Sequence, residues 1–209
     1  CFVRACELKP KDAKLWNNRG IVLSRQRKNE EALACYEKAL SFNPSLSEAW
    51  FDKGMALFAL NRFDKAVSSF DRALSLNAQF APSWNFKGFC LIKLGKNKEA
   101  LPCLERALEL MPGNAETWMA KGVALNNLGK YPEALDVIND AINRSGHYPE
   151  YFYLQSAALS YTGRMREAIS VLEHALMLDY SRHTILYEVC KDVAMRPEFQ
   201  RVIGLYNAN

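Results

Sequence analysis

Trp16, Trp50, Trp84 and Trp118 recur every 34 residues, and small residues keep step with them. Gly20, Gly54, Gly88 and Gly122 each follow a Trp by four positions. Ala32, Ala66, Ala100 and Ala134, then Ala39, Ala73, Ala107 and Ala141, continue the frame. An internal period of this length specifies stacked helical hairpins, because one hairpin buries its apolar face only against its neighbours. The expected fold is therefore an all-α solenoid without a single central core. Such chains present long surfaces rather than enclosed pockets, which favours binding over catalysis.

Composition adds little to this. The 209 residues are 49% hydrophobic and 24% charged, with a formal net charge of +4, too mild to argue for nucleic acid. Within residues 1–30, eight Lys/Arg stand against three acids, and this reads as a solvated basic end. The six cysteines form no CxxC pair and have no histidine at metal-ligand spacing, so no metal site and no cofactor is indicated. They read as reduced packing residues of a cytoplasmic protein, and all six are expected to be free thiols. The sequence shows no apolar run of membrane-span length and no signal peptide at its start, so no membrane partner is expected.

One period before Tyr36, Ala39 and Pro44 stand Phe2, Ala5 and Pro10. Residues 1–12 thus read as the second helix of an upstream repeat whose partner helix is missing. The expectation is a fragment of a longer array, with an edge at Phe2 and Leu8 that is open to self-association.

Residues 47–80 show the physics of one repeat. Pro44 cannot continue the preceding helix. Ser47 is placed to cap the next helix, with Glu48 in its first turn where an acid suits the helix dipole. Trp50, Gly54 and Leu57 then share one helical face. Gly54 lets the second helix approach, where Ala66 and Ala73 are small and Val67, Phe70 and Leu74 fill the gaps. Asn61-Arg62 makes the turn. The corresponding Gly95, Gly129 and Gly163 suggest a left-handed residue after the first helix.

The pattern Trp-x3-Gly, Ala-x3-aromatic-x2-Ala and a closing Pro resembles the tetratricopeptide repeat (TPR) family across nearly the whole chain. In that register the repeats are 13–46, 47–80, 81–114, 115–148 and 149–182, followed by capping helices over 183–209. The fifth repeat is the weakest, with Phe152 for Trp and Ser156 for Gly. The resemblance implies a right-handed α-α superhelical solenoid of TPR hairpins closed by a C-terminal capping helix pair. Its own departure is a cation before each glycine: Arg19, Lys53, Lys87 and Lys121. Their stems can cover the hairpin while the charge reaches water or a Glu; the alternative is an anion-binding ladder. Pro102, inside the second helix of repeat three, should remove one backbone hydrogen bond and bend that helix slightly.

His147, His174 and His183 share no face with a nucleophile or paired carboxylates, so no catalytic residue is expected. Binding is different. The resemblance implies that the first helix of each hairpin lines a concave wall. The carboxylate clamp of the chaperone-tail receptors is absent, since Asn17, Ile21 and Asp52 stand where it needs Lys, Asn and Asn. The asparagine ladder of the sugar-transferring relatives is absent too, Asn18 being its single match. What remains is an apolar stripe of Phe51, Met55, Phe58, Phe86, Phe89 and Ile92, extended by Met119, Val123, Tyr153 and Leu154. These side chains either pack between hairpins or form a partner site.

The expected function is a protein-interaction scaffold that binds an apolar peptide or helix in this groove, with Asp52 and Lys93 setting orientation. On that reading Phe51→Ala with Phe89→Ala weakens partner binding and leaves the helical signal nearly intact. A regulatory, substrate-recruiting arm of a larger enzyme is the second reading. RNA binding is a third, disfavoured by an apolar groove and a 34-residue rather than a 35-residue period.

Overall fold

The computed structural model describes residues 9–207, the side chain of Val189 excepted. The expected helix remnant up to Leu8, the edge at Phe2 and Leu8, and Cys1 and Cys6 lie outside the described residues. The chain divides into two compact units, residues 1–110 and 111–209.

The first unit holds three antiparallel hairpins: α1 (Ala13–Arg25) with α2 (Asn29–Phe42), α3 (Ser47–Ala59) with α4 (Phe63–Leu76), and α5 (Ala81–Lys93) with α6 (Asn97–Leu110). The second holds α7 (Ala115–Asn127) with α8 (Tyr131–Ser145) and α9 (Pro149–Tyr161) with α10 (Met165–Leu178). A 3-10 turn (Tyr180–His183) and α11 (Thr184–Val189), α12 (Lys191–Ala194) and α13 (Pro197–Asn207) follow. The architecture is an all-α repeat, and the described residues contain no strand.

The frame glycines have a sharper reason than close helix approach. A Cβ at Gly20 would lie 2.4 Å from the Tyr36 ring, and one at Gly54 2.6 Å from the Phe70 ring. At Gly88 the distance to Leu104 would be 2.6 Å, and at Gly122 the distance to Ile138 would be 3.2 Å. Each glycine is thus the floor on which the large residue of the second helix rests. All four of those large side chains are buried. The alanines at the other frame positions from Ala32 to Ala141 are buried as well.

The turn within each hairpin repeats with the same hydrogen bond. The amides of Lys28, Arg62, Lys96, Lys130 and Arg164 donate to the carbonyls of Leu23, Leu57, Leu91, Leu125 and Leu159, at 2.8–3.0 Å. This six-to-one closure needs a left-handed residue just before the donor. Gly95, Gly129 and Gly163 supply it, whereas Arg27 (φ 61°) and Asn61 (φ 57°) adopt it with a side chain. An L-residue there carries a penalty of roughly 1–2 kcal/mol, less for Asn. Arg27→Gly is therefore expected to raise stability by about 1 kcal/mol, once the greater freedom of Gly in the unfolded chain is subtracted. A urea denaturation midpoint that does not move, or that falls, counts against this reading of the turn.

The tryptophans close the opposite end of each hairpin. Each indole Nε1 donates to the carbonyl six residues earlier: Trp16 to Pro10 (2.8 Å), Trp50 to Pro44 (2.9 Å), Trp84 to Ala78 (2.9 Å) and Trp118 to Pro112 (2.8 Å). Phe152, at the same position, has no such donor. Ser47 does not cap α3. It is the first helical residue, Leu46 occupies the cap position without a side-chain bond, and the Ser47 hydroxyl donates to Glu48 instead. Side-chain caps are made by Asp12, on the amides of Lys14 and Leu15, and by Asn114, on that of Thr117. α6 runs unbroken through Pro102 to Leu110.

After α10 the first capping helix is interrupted. Cys190 (φ −139°, ψ 58°) divides it into α11 and α12, with the thiol buried. α13 places Phe199, Val202 and Ile203 in a core shared with Leu172, Leu186 and Val193. Tyr161 ties the caps to the last hairpin. Its ring stacks on Tyr131 with centroids 4.3 Å apart, its hydroxyl donates to Asp192, and the Arg196 guanidinium lies over its face. Arg196 also donates to Ser160 Oγ at 2.6 Å.

Candidate functional site

In the first unit, α1 and α3 together form a cleft of about 390 Å³. Ile21, Phe51, Met55 and Ala59 supply its apolar wall, with Ser24, Arg25, Asp52 and, from α2, Asn29 as polar groups. Three residues expected from the sequence, Phe51, Asp52 and Met55, therefore share one concavity. Ile21, Ser24 and Arg25 also line the cleft, though the first repeat offers no aromatic residue to the stripe. The signal was the helical spacing of Ile21 from Asn17 and Arg25, which places all three on one side of α1.

Asp52 is the charged group in the cleft wall with a defined partner. Its Oδ2 accepts from Asn17 Nδ2 at 2.9 Å, across from α1. Burial raises the Asp52 carboxyl above its ordinary value, the Asn17 bond works against that, and the neighbouring Glu48 adds to it. Because the shift is upward, the charged form is penalised in the folded state. Asp52 therefore favours folding while protonated, and that contribution is lost as pH rises through its folded pKa. Asp52→Asn keeps an acceptor for Asn17 and removes the charge. It is expected to be at least as stable as the parent at pH 7, with the difference vanishing in acid. A variant clearly less stable at pH 7 than the parent contradicts this. Tyr36 closes the floor, its hydroxyl donating to Ser24 Oγ at 3.2 Å and pushed up to about 12 by burial.

The remaining rings continue inward. Phe51 meets Phe80 edge-on at 5.0 Å and tilts against Phe70 at 5.8 Å. Phe86 touches Phe51, Phe58, Phe70 and Phe89, at 5.8–6.2 Å. Phe51, Phe58, Phe86, Phe89 and Ile92 are all half-buried, and Lys93 is exposed at the end of α5. These rings thus pack against one another between hairpins and stay partly exposed. Phe51→Ala with Phe89→Ala consequently removes packing as well as surface, and is a poor separator of the two.

In the second unit Met119 is half-buried and lines a cleft of about 580 Å³ with Tyr148, Glu150 and Arg182. Val123 is half-buried against Ile138 and Leu154. Tyr153 and Leu154, expected to extend an open wall, are core residues at 0% and 1% exposure. The Tyr153 hydroxyl donates to the Asp179 carbonyl at 2.9 Å, and its ring packs with the residues of α11 and α12. The capping helices cover Tyr153, and Leu154 packs with Ile138 of α8 and Tyr151, so both residues leave the candidate surface.

The cations before the frame glycines are engaged. Lys53 reaches Glu37 at 3.0 Å and Lys87 reaches Asp71 at 2.6 Å. Arg19, Lys53 and Lys87 also lie 5.4–5.6 Å above the rings of Trp16, Trp50 and Trp84. Lys53 and Lys87 are thus paired with carboxylates and Arg19 is set over its tryptophan, rather than forming a ladder for anions. Cys35, Cys90, Cys103 and Cys190 are buried thiols outside any disulfide. Burial pushes the Cys90 and Cys190 thiols up to about 12, which suits packing and not nucleophilic chemistry. His147 and His174 are exposed, both beside the Phe152 ring. Among the described residues, no three His, Cys, Asp or Glu side chains are placed to share a metal ion, and no helix is long and apolar enough to cross a membrane.

A frame of Trp, Gly, Ala and a large second-helix residue, closed by the same turn in five hairpins, defines a helical-repeat scaffold for protein interaction. The chain belongs to the tetratricopeptide repeat family, which matches at residues 13–46, 47–80, 91–158 and 149–182. Among solved structures it is similar to YrrB, described as a TPR protein with an unusual peptide-binding site, at 27% identity and a TM-score of 0.77 over 90% of this chain and 97% of that one. It shares its fold with MamA from Desulfovibrio magneticus RS-1 (23% identity, TM-score 0.77, 82% of this chain and 97% of that one). The same holds for a thermophilic TPR protein from Thermus thermophilus, TTC0263 (18%, 0.63, 88% and 100%). No curated protein matches the chain.

Proposed function

We propose that the protein is a non-enzymatic scaffold that holds an apolar peptide segment in the cleft between α1 and α3. The observation that carries this reading is the cleft itself: an apolar wall of Ile21, Phe51 and Met55 interrupted by one carboxylate, Asp52, that Asn17 holds in place. Apolar surface left open in this way gains about 25 cal/mol per Å² when a partner covers it. Asp52 then accepts a backbone amide or a cationic side chain and fixes the direction of the bound segment. The likeness to YrrB, itself described as peptide-binding, supports a peptide rather than a small molecule.

The test uses peptides selected from a random displayed library on the intact chain. Selected sequences are expected to be apolar, and Met55→Ser or Ile21→Ser is expected to weaken their binding about tenfold or more while circular dichroism stays unchanged; an apolar anchor lost from the centre of an interface has an effect of about that size. Binding that is indifferent to both variants sinks the proposal.

A further inference from the structure

On the other side of α3 lies a cleft of about 400 Å³ whose chemistry differs. Its floor is Leu33 and Leu57, both buried, with the half-buried Trp50 ring. Trp50, Lys53 and Leu57 follow one another at i, i+3 and i+7, on the face of α3 turned away from Phe51 and Met55. Four cations line it, Lys53, Arg62, Lys65 and Arg72, against one carboxylate, Glu37.

The repeat frame shows how unusual this is. At the position of Lys65 the other four repeats carry an acid: Glu31, Glu99, Glu133 and Glu167. In three of these the acid pairs with the cation three residues before it: Lys28 with Glu31 (3.7 Å), Lys130 with Glu133 (2.9 Å) and Arg164 with Glu167 (2.6 Å). The second repeat reverses that charge. Arg62, its local acid replaced by Lys65, reaches across to Glu30 of α2 instead. Arg72 shows the same pattern. Its counterpart one repeat later, Arg106, pairs with Glu109 at 2.7 Å, but three residues after Arg72 stands Ser75. Arg72 lies instead over the Trp50 ring, 5.6 Å from its centroid. Among the described residues, Lys65 and Arg72 have no carboxylate partner, whereas Lys53 and Arg62 are paired with Glu37 and Glu30.

We propose that this cleft is a second docking site, for an acidic segment of a partner protein. Carboxylates of the segment sit on Lys65 and Arg72, and an apolar side chain rests on Trp50 and Leu57. Charge complementarity selects this occupant. Two uncompensated cations over an apolar floor suit alternating acidic and apolar residues. They would neutralise only two phosphates of a nucleic-acid backbone, whose binding grows with each phosphate neutralised. The site is independent of the α1–α3 cleft and stands whether or not that cleft binds a peptide.

Fluorescence anisotropy of the intact chain tests it, with a labelled peptide of alternating Glu and Leu and a counterpart carrying Gln for Glu. The Glu peptide is expected to bind, more weakly as salt rises, and the Gln peptide far less. Lys65→Glu restores the acid that the other repeats carry, so the fold is retained, and it is expected to lower affinity about tenfold. Arg72→Gln is expected to lower it several-fold, and Met55→Ser on the opposite face to leave it unchanged. The proposal is overturned if the Glu peptide does not bind, if the Gln peptide binds equally, or if Lys65→Glu has no effect. It is also overturned if a single-stranded RNA oligonucleotide binds more tightly at the same residues.

Discussion

Phe70→Ala is expected to destabilise the first unit by about 3–5 kcal/mol, the range for truncating a fully buried aromatic. Phe70 is 0% exposed, lies against Phe51 and stacks on Phe86, and its edge rests on Gly54. The hairpin α3–α4 and its neighbours hold this ring on all sides, so the space it leaves cannot collapse without moving a helix. Chemical denaturation of the intact chain measures the loss. A cost below about 1 kcal/mol would mean that the neighbouring rings refill the space, contrary to the packing described.

Gly54→Ala should be the more surprising result. In an exposed helix the exchange stabilises by roughly 0.5–1 kcal/mol. Here the new Cβ would stand 2.6–2.9 Å from three carbons of the Phe70 ring, which is itself enclosed. Overpacking of this kind costs about 1–3 kcal/mol and outweighs the helix preference. The expected outcome is a net loss of about 1–2 kcal/mol. Gly204→Ala is the control, since a Cβ there meets nothing within 4 Å on α13. It should stabilise by about 0.5–1 kcal/mol. Combining Gly54→Ala with Phe70→Ala should cost less than the sum, because the second change removes the obstacle to the first. Strict additivity would show that the two residues do not meet as described.

Periodicity carried the fold because each frame residue acts through a neighbour at a fixed offset. Gly54 and Phe70 are 16 residues apart in one repeat, and Gly20 and Tyr36 repeat that offset, so a pattern in the chain is also a contact in space. The left-handed turn residues were legible for the same reason, from three glycines and Asn61 at one position; Arg27 was hidden by its side chain. The candidate site was less legible. The family resemblance gives Phe51, Met55 and Tyr153 inward positions in their repeats, but it cannot say what lies over each. Next to Phe51 and Met55 stands α1, which leaves a cleft. Over Tyr153 stand α11 and α12, whose irregular break at Cys190 has no counterpart in the repeats. The reversed charge at Lys65 was present in the frame but has meaning only once the ion pairs of the other repeats are seen.

The most direct test of the central claim is methyl NMR of the intact chain labelled at the ε-methyl of its six methionines, titrated with a library-selected apolar peptide. Met55 sits in the wall of the proposed cleft, while Met177 and Met195 are exposed in the second unit. The account predicts that the Met55 resonance shifts or broadens in saturable fashion, that Met177 and Met195 stay in place, and that Ile21→Ser abolishes the response. Saturable peptide binding that leaves Met55 unmoved would contradict it.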